Sequence, residues 1–390
     1  MLARPLPLLA ALTAVAFAAP LTAGHAAPST QDRFAPDPDN PWIAFARTPF
    51  GQIRLMVTLN GVAARAIVDT GLSHTIITPA LAARAGVKAL RHEGERRGIA
   101  IGGDVPIVWA AAERLTVGGL TRTGGTIGIT PAAADARLAT DMLLGADVLS
   151  AAAIEIDFDT ARLRLMPSGR RPFAGTSITI RRAGERWLTE ARVANRRVRP
   201  VLIDTGDGGA LTLTERAWAA AGLAPAPTTT IGWGLGGEQT SGLAVAHVRL
   251  GDLPAAEAEI RVDPPSPFWA RTGAAGRIGT ALLDRYHVLI DAQAGRLVLA
   301  PRKRAAAPVP RSTSGLIMAS EAGALRIVHV MRGSPAAQSG LRAGERICGI
   351  DGTAPDRATL PRWTAGAPGT LVRLTSCAGR DVVLTLARFY

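Results

Sequence analysis

Two stretches decide the reading of this chain: Ala64-Arg-Ala-Ile-Val-Asp69-Thr70-Gly71 and Arg199-Pro-Val-Leu-Ile-Asp204-Thr205-Gly206. Each is an apolar strand pattern that runs into Asp-Thr-Gly. A lone Asp-Thr-Gly is a weak signal, because Asp and Gly favour turns for backbone reasons alone. Two copies at matching places in a longer repeat are a strong one. Residues 52–167 recur, diverged, as residues 186–301. Each copy opens with an alternating strand, a turn (Asn60-Gly61; Asn195-Arg196) and a second strand, the pattern of a hairpin. A threonine-bearing apolar strand follows (Thr75-Ile-Ile-Thr78; Leu211-Thr-Leu-Thr214), then a short Ala- and Leu-rich helix and a Gly-rich stretch. Later come Leu143-Leu-Gly145 and Arg277-Ile-Gly279. From Asp to that Gly is 76 residues in the first copy and 75 in the second. A register held so closely over more than 100 positions means a duplicated, mainly β unit.

Ile67-Val-Asp69-Thr70-Gly71-Leu-Ser73-His-Thr75 with Leu143-Leu-Gly145, and their counterparts in the second copy, resemble the retropepsin family of aspartic proteases. Retropepsins pair two identical halves as a dimer, whereas pepsin-like enzymes carry both halves on one chain. The resemblance covers roughly residues 50–301 and implies a single-chain, bilobal acid-protease fold. Its two retropepsin-like β-barrel halves would occupy residues 50–167 and 178–301. It also implies an aspartic endopeptidase in which Asp69 and Asp204 form the catalytic dyad. Two carboxylates held about 3 Å apart cannot both ionise, so they share one proton. The ionised member activates water and the protonated one serves the scissile carbonyl, with no cofactor or metal required.

The supporting residues follow from the same resemblance. Thr70 and Thr205 are expected to bond across the pseudo-twofold axis, and Gly71 and Gly206 to permit tight turns. Ser73 is expected to bond the outer oxygen of Asp69. The second copy has Gly208 there, preceded by Asp207, which would leave Asp204 short of one support. Arg277 is a second departure, standing where an apolar residue usually precedes the Ile-Gly. The expectation is an asymmetric dyad. An alternative is a catalytically weak or inactive scaffold that only binds peptides, with Gly208 as the feature in its favour.

The Gly-rich stretches 98–103 and 232–237 read as ordinary loops or as hairpin flaps over substrate, the flap being the preferred reading for residues 98–109 because glycine supplies mobility. On that reading Gly102, Gly103, Trp109 and Trp233 would bind substrate. His74 reads as a packed strand residue, since no Ser or Cys nucleophile accompanies it. No Gly-x-Ser-x-Gly or His-Glu-x-x-His occurs to support a serine or zinc hydrolase.

The Arg- and Pro-rich residues 302–312 read as a linker. Beyond it, residues 313–388 contain Gly333-Ser-Pro-Ala-Ala337, Gly340-Leu and Gly344-Glu, which resemble a bacterial PDZ domain. That resemblance implies a C-terminal peptide ligand held by a loop around Gly315, Leu316, Ile317 and Met318. Cys348 and Cys377, the only cysteines, are open to one disulfide or to two buried thiols on neighbouring strands; they do not make a zinc site.

Composition bounds the rest. With 390 residues, 47% hydrophobic and 19% charged, the chain is globular in type and long enough for several cores. The formal charge of +13 comes from scattered arginines without interleaved aromatics, which argues against nucleic acid as a partner. Residues 1–26 carry Arg4, a short apolar run and small residues, the pattern of a secretory signal peptide. The run is short for a membrane span and is broken by Pro20, so a stable span is not expected, with an uncleaved anchor as the alternative. The expected setting is the periplasm or cell envelope of a bacterium, with protein or peptide substrates.

Overall fold

The computed structural model describes residues 30–36, 41–90, 96–134, 138–304, 311–355 and 363–390. The expected signal segment lies outside these, as do residues 305–310 of the expected linker. The chain is mainly β. The hairpin read at Asn60-Gly61 joins Ile53–Leu59 to Val62–Val68. Both turn residues have positive φ, 48° and 82°, the geometry whose twist matches a two-residue hairpin. In the second copy the turn is Ala194-Asn195, one residue earlier than expected, between Arg186–Val193 and Arg196–Ile203.

The repeat in sequence is a repeat in topology. Met142–Leu144 lies parallel to Val62–Val68 and antiparallel to Ile76–Ile77. Gly276–Ile278 lies parallel to Arg196–Ile203 and antiparallel to Leu211–Thr214. A further strand adds parallel to the threonine-bearing strand in each copy, Thr126–Ile129 in the first and Ala256–Asp263 in the second. The closing hairpins of the two copies then pair with each other: Ala153–Asp157 runs antiparallel to Tyr286–Asp291, with Ile154 opposite Ile290. This join extends outward through Arg162–Met166 to Ile43–Arg47 on one side and through Arg296–Pro301 to Thr176–Thr179 on the other. One apolar core runs through both copies and includes Val68, Leu144, Ile154, Ile203, Leu283 and Ile290, each 1% exposed or less. Alternation along the strands puts these residues on one face.

Residues 316–385 form a separate five-stranded antiparallel sheet in sequential order, with its own core around Ile327, Ile347, Leu374 and Leu384. Its cysteines are joined as Cys348–Cys377. The sheet docks on the second copy: Thr228 Oγ1 donates to the Arg332 carbonyl at 2.8 Å, and Thr229 Oγ1 lies 2.9 Å from His329 Nε2. The linker is pinned at both ends, by Arg302 to Asp159 and Asp284 and by Arg311 to Glu257. Among the described residues no helix is long and apolar enough to cross a membrane.

Candidate active site

Each Asp-Thr-Gly lies where a strand ends and its backbone crosses to the neighbouring strand. The Asp69 N–H donates to the Leu144 carbonyl at 3.0 Å, and the Asp204 N–H to the Ile278 carbonyl at 2.9 Å. Each carboxylate then folds back on its own loop. Asp69 Oδ1 accepts the N–H groups of Gly71 and Leu72 at 3.1 and 3.0 Å. Asp204 Oδ1 accepts those of Gly206 and Asp207 at 3.0 and 3.1 Å. This leaves Oδ2 of each side chain outside the turn.

The two loops interlock. Thr70 Oγ1 donates to the Ile203 carbonyl at 2.7 Å and accepts the Thr205 N–H at 3.0 Å. Thr205 Oγ1 donates to the Val68 carbonyl at 2.7 Å and accepts the Thr70 N–H at 3.1 Å. Both threonines are buried, so these bonds satisfy backbone groups that water cannot reach. The glycines have a reciprocal role. A Cβ on Gly71 would lie 2.4 Å from Cγ of Asp204, and one on Gly206 would lie 2.3 Å from Cγ of Asp69. Each carboxylate therefore rests on the other loop's glycine, and the pair faces a common cleft of about 510 Å³.

The halves differ beside the pair. In the first, Leu72 packs against Leu143 and Ile76. Strand register places Arg277 and Thr212 where Leu143 and Ile76 stand, and Asp207, like Leu72, follows the Asp-Thr-Gly. An apolar trio has become a polar one. Arg277 Nε donates to Asp207 Oδ2 at 2.6 Å, Thr212 Oγ1 donates to the same oxygen at 3.0 Å, and the Gly209 N–H reaches Oδ1 at 2.8 Å. Arg277 Nη1 also lies 3.7 Å from Asp204 Oδ2. Arg277, one departure noted in the sequence, and Asp207, which accompanies the other at Gly208, form one buried ion pair. The expectation that Asp204 lacks support is therefore corrected, since it has a guanidinium that Asp69 has at greater remove.

Electrostatics follow this asymmetry. Asp69 is pushed up to about 8, by burial first and then by the charge of Asp204. Asp204 is raised less, to about 6, because Arg277 offsets part of the cost of its burial. For Asp207, burial opposes ionisation, but Arg277 and Arg261 overcome it and hold the carboxyl below its ordinary range. Burial likewise opposes the Arg277 cation, and Asp207, Asp204 and Asp263 together raise its pKa above the ordinary value. Among the described residues no group of three His, Cys, Asp or Glu is set to hold a metal ion.

Two hairpins close over the cleft. Arg96–Ala100 pairs with Gly103–Ala111, and Thr228–Gly234 with Gly237–Arg249. Their tips touch: the Gly236 N–H donates to the Ile101 carbonyl at 2.9 Å. A Cβ on Gly102 would lie 2.4 Å from the Gly237 carbonyl oxygen, and one on Gly236 would lie 2.3 Å from the Gly103 nitrogen. Gly102 and Gly103 thus form the tip contact, and Trp233 lines the cleft beside Phe50. Trp109 does not line it. It sits eight residues down the strand from Ile101, about 25 Å along extended chain, and packs edge-on to His74.

Residues 55–148 match the family model of aspartyl proteases. The matched span holds Asp69 and ends before the second carboxylate. No curated protein matches the chain significantly. The family match supports a protease-like function, and expectations at single residues need correction. The Ser73 hydroxyl lies 3.1 Å from His74 Nδ1 and makes no hydrogen bond to Asp69 among the described residues, although it lines the same cleft. His74 is exposed at the cleft rather than packed in a strand. Gly208 has a steric reason: a Cβ there would lie 1.6 Å from the Phe50 carbonyl oxygen. In the C-terminal sheet, the Gly315 and Leu316 N–H groups, expected to face a peptide terminus, are taken by the Ser312 and Ser314 hydroxyls at 2.9 and 3.2 Å. Ile317 and Met318 lie on the edge strand Leu316–Glu321.

Proposed function

We propose that the chain is an aspartic endopeptidase in which Asp69 and Asp204 act as one proton-sharing pair. The observation that carries this reading is reciprocal: each carboxylate rests on the opposite loop's glycine, and the buried threonines lock the two loops. At such proximity one proton serves both groups. Arg277 favours charge on Asp204 and leaves the proton mainly on Asp69. Asp204 then takes a proton from the attacking water, while Asp69 donates to the scissile carbonyl oxygen. The two hairpins would close over an extended peptide and exclude bulk water.

This reading includes a bilobal acid-protease fold over residues 50–301 and a PDZ domain over residues 313–388 that recruits or gates protein substrate. It also includes export to a bacterial periplasm or envelope. The rival reading of an inactive binding scaffold rested on Gly208, and the packing of that residue against Phe50 supplies a structural reason for glycine there. The test is incubation of the full chain with a protein substrate across pH, followed by mass spectrometry of the products. Internal peptide-bond cleavage that disappears in Asp69→Asn and in Asp204→Asn is expected. Cleavage that survives either substitution would overturn the dyad.

A further inference from the structure

On the second half's wall of the cleft cations outnumber anions. Arg186, Arg261, Arg271 and Arg277 line it, against Asp207 and Glu185 apart from the central pair. Arg277 is consumed by Asp207, and Glu185 stands 3.8 Å from Arg182. Arg186 spends its donors on the carbonyls of Ala183, Arg271 and Thr272.

Arg271 is exposed, whereas Arg261 is set deeper. Its side chain is 32% exposed, and its nearest carboxylate is Asp207 at 4.0 Å. That carboxylate already accepts from Arg277, Thr212 and Gly209. Glu259, two residues back on the same strand face, is held by the Tyr390 hydroxyl. Among the described residues Arg261 donates no hydrogen bond, and its Nη1 lies under the flap strand, 3.0 Å from where a Cβ on Gly232 would stand.

The first half offers the contrast. Register puts Gly128 where Arg261 stands, since each lies opposite its half's equivalent strand residue, Ile76 and Thr212. A Cβ on Gly128 would be 2.9 Å from both Ile107 and Ile76, so this part of the first half's wall is closed and apolar, with Leu72 and Leu143 at the cleft and Ser73 and His74 beside them. An extended peptide turns successive side chains to opposite sides. Neighbouring substrate residues would therefore meet an apolar wall and a cationic one.

We propose that Arg261 is a specificity-determining residue that selects substrates with an Asp or Glu side chain next to the scissile bond, on the side of the second half. This rests on the endopeptidase reading. A guanidinium with open donors under a flap is suited to bidentate capture of a carboxylate. Its value is greatest once the flaps exclude water.

The experiment uses peptide series identical except for Glu, Gln or Lys at each position flanking the scissile bond, with the full chain and its Arg261→Gln and Arg261→Glu variants. The wild type should prefer Glu over Gln at one position by roughly 10- to 100-fold in kcat/KM. Arg261→Gln should abolish that preference while cleavage of the Gln peptide persists, and Arg261→Glu should reverse it toward Lys. Binding of the same peptides to Asp69→Asn, by fluorescence anisotropy, reads the site without turnover. Selective binding of the Glu peptide that is lost in Asp69→Asn/Arg261→Gln supports the proposal even if the chain cleaves nothing, in which case only the endopeptidase reading fails. Cleavage or binding indifferent to Glu, or a Glu preference that survives Arg261→Gln, overturns it.

Discussion

Replacing Arg277 by glutamine removes the cation that divides the charge between the two aspartates. The guanidinium lies 3.7 Å from Asp204 Oδ2. At an effective dielectric of about 20, a unit charge at that separation is worth about 4 kcal/mol, or about 3 pH units. Water entering the vacated space would screen part of this, so a rise of about 1–2 units in the acid limb of kcat/KM is expected. The alkaline limb should rise less, because Arg277 is a minor influence on Asp69. The same change takes from Asp207 its closest cation and leaves it the Gly209 N–H, the Thr212 hydroxyl and Arg261 at 4.0 Å. Breaking one side of a buried pair costs about 3–5 kcal/mol. A paired substitution, Asp207→Leu with Arg277→Leu, copies the Leu72 and Leu143 arrangement and should recover most of that stability. The assay is the pH profile of peptide cleavage together with urea unfolding of the three proteins. An Arg277→Gln protein with an unmoved acid limb and unchanged stability would refute the reasoning.

Other perturbations follow from the same geometry. Asp69→Asn should stabilise the fold in a pH-dependent way: a carboxyl whose folded pKa is raised from 3.8 to about 8 is at no disadvantage below about pH 4 and loses stability as pH rises toward 8. Thermal or urea unfolding should show equal stabilities at pH 4 and an advantage on the order of 5 kcal/mol for the variant at pH 8. Gly236→Ala would put a Cβ 2.2–2.5 Å from the Gly103 backbone, so the tips cannot meet. A loss of about 10-fold in kcat/KM is expected with little change in unfolding, since the glycines at the tips are exposed or only half-buried. Gly208→Ser, which restores the residue type found in the first loop, should lower stability by about 1–3 kcal/mol rather than raise activity, because it collides with Phe50. A calorimetric scan decides between these outcomes.

The duplicated topology was legible because strand, turn and Asp-Thr-Gly recur in one register, and that register is what carries both carboxylates to a single cleft. The flap hairpin was legible from glycines around an alternating pattern, although Trp109 packs behind His74 instead of lining the cleft. What escaped were contacts between distant elements that the repeat itself does not encode. Asp207 was visible beside the Gly208 departure and Arg277 as a second one, but 70 residues separate them, and the pairings of Gly276–Ile278 with Val201–Ile203 and with Leu211–Leu213 bring them together. Opposite charges at two departures within one repeat were the available signal. Gly208 is set by Phe50, which lies in a turn of the other half and has no local trace in the second loop. The Ser73 hydroxyl meets its neighbour His74 rather than Asp69, a choice that residue type does not encode. The N–H groups of Gly315 and Leu316 were claimed by neighbouring serines, a competition that short polar side chains commonly win in loops.

The claim that Asp69 and Asp204 work as one unit is tested most directly by kcat/KM for the wild type, Asp69→Asn, Asp204→Asn and the double variant on one peptide at pH 5–7. A shared pair predicts that each single substitution lowers kcat/KM by at least about 10³-fold and that the double is no worse than either single. A single variant that keeps activity within about 10-fold, or losses that multiply in the double variant, would contradict the account.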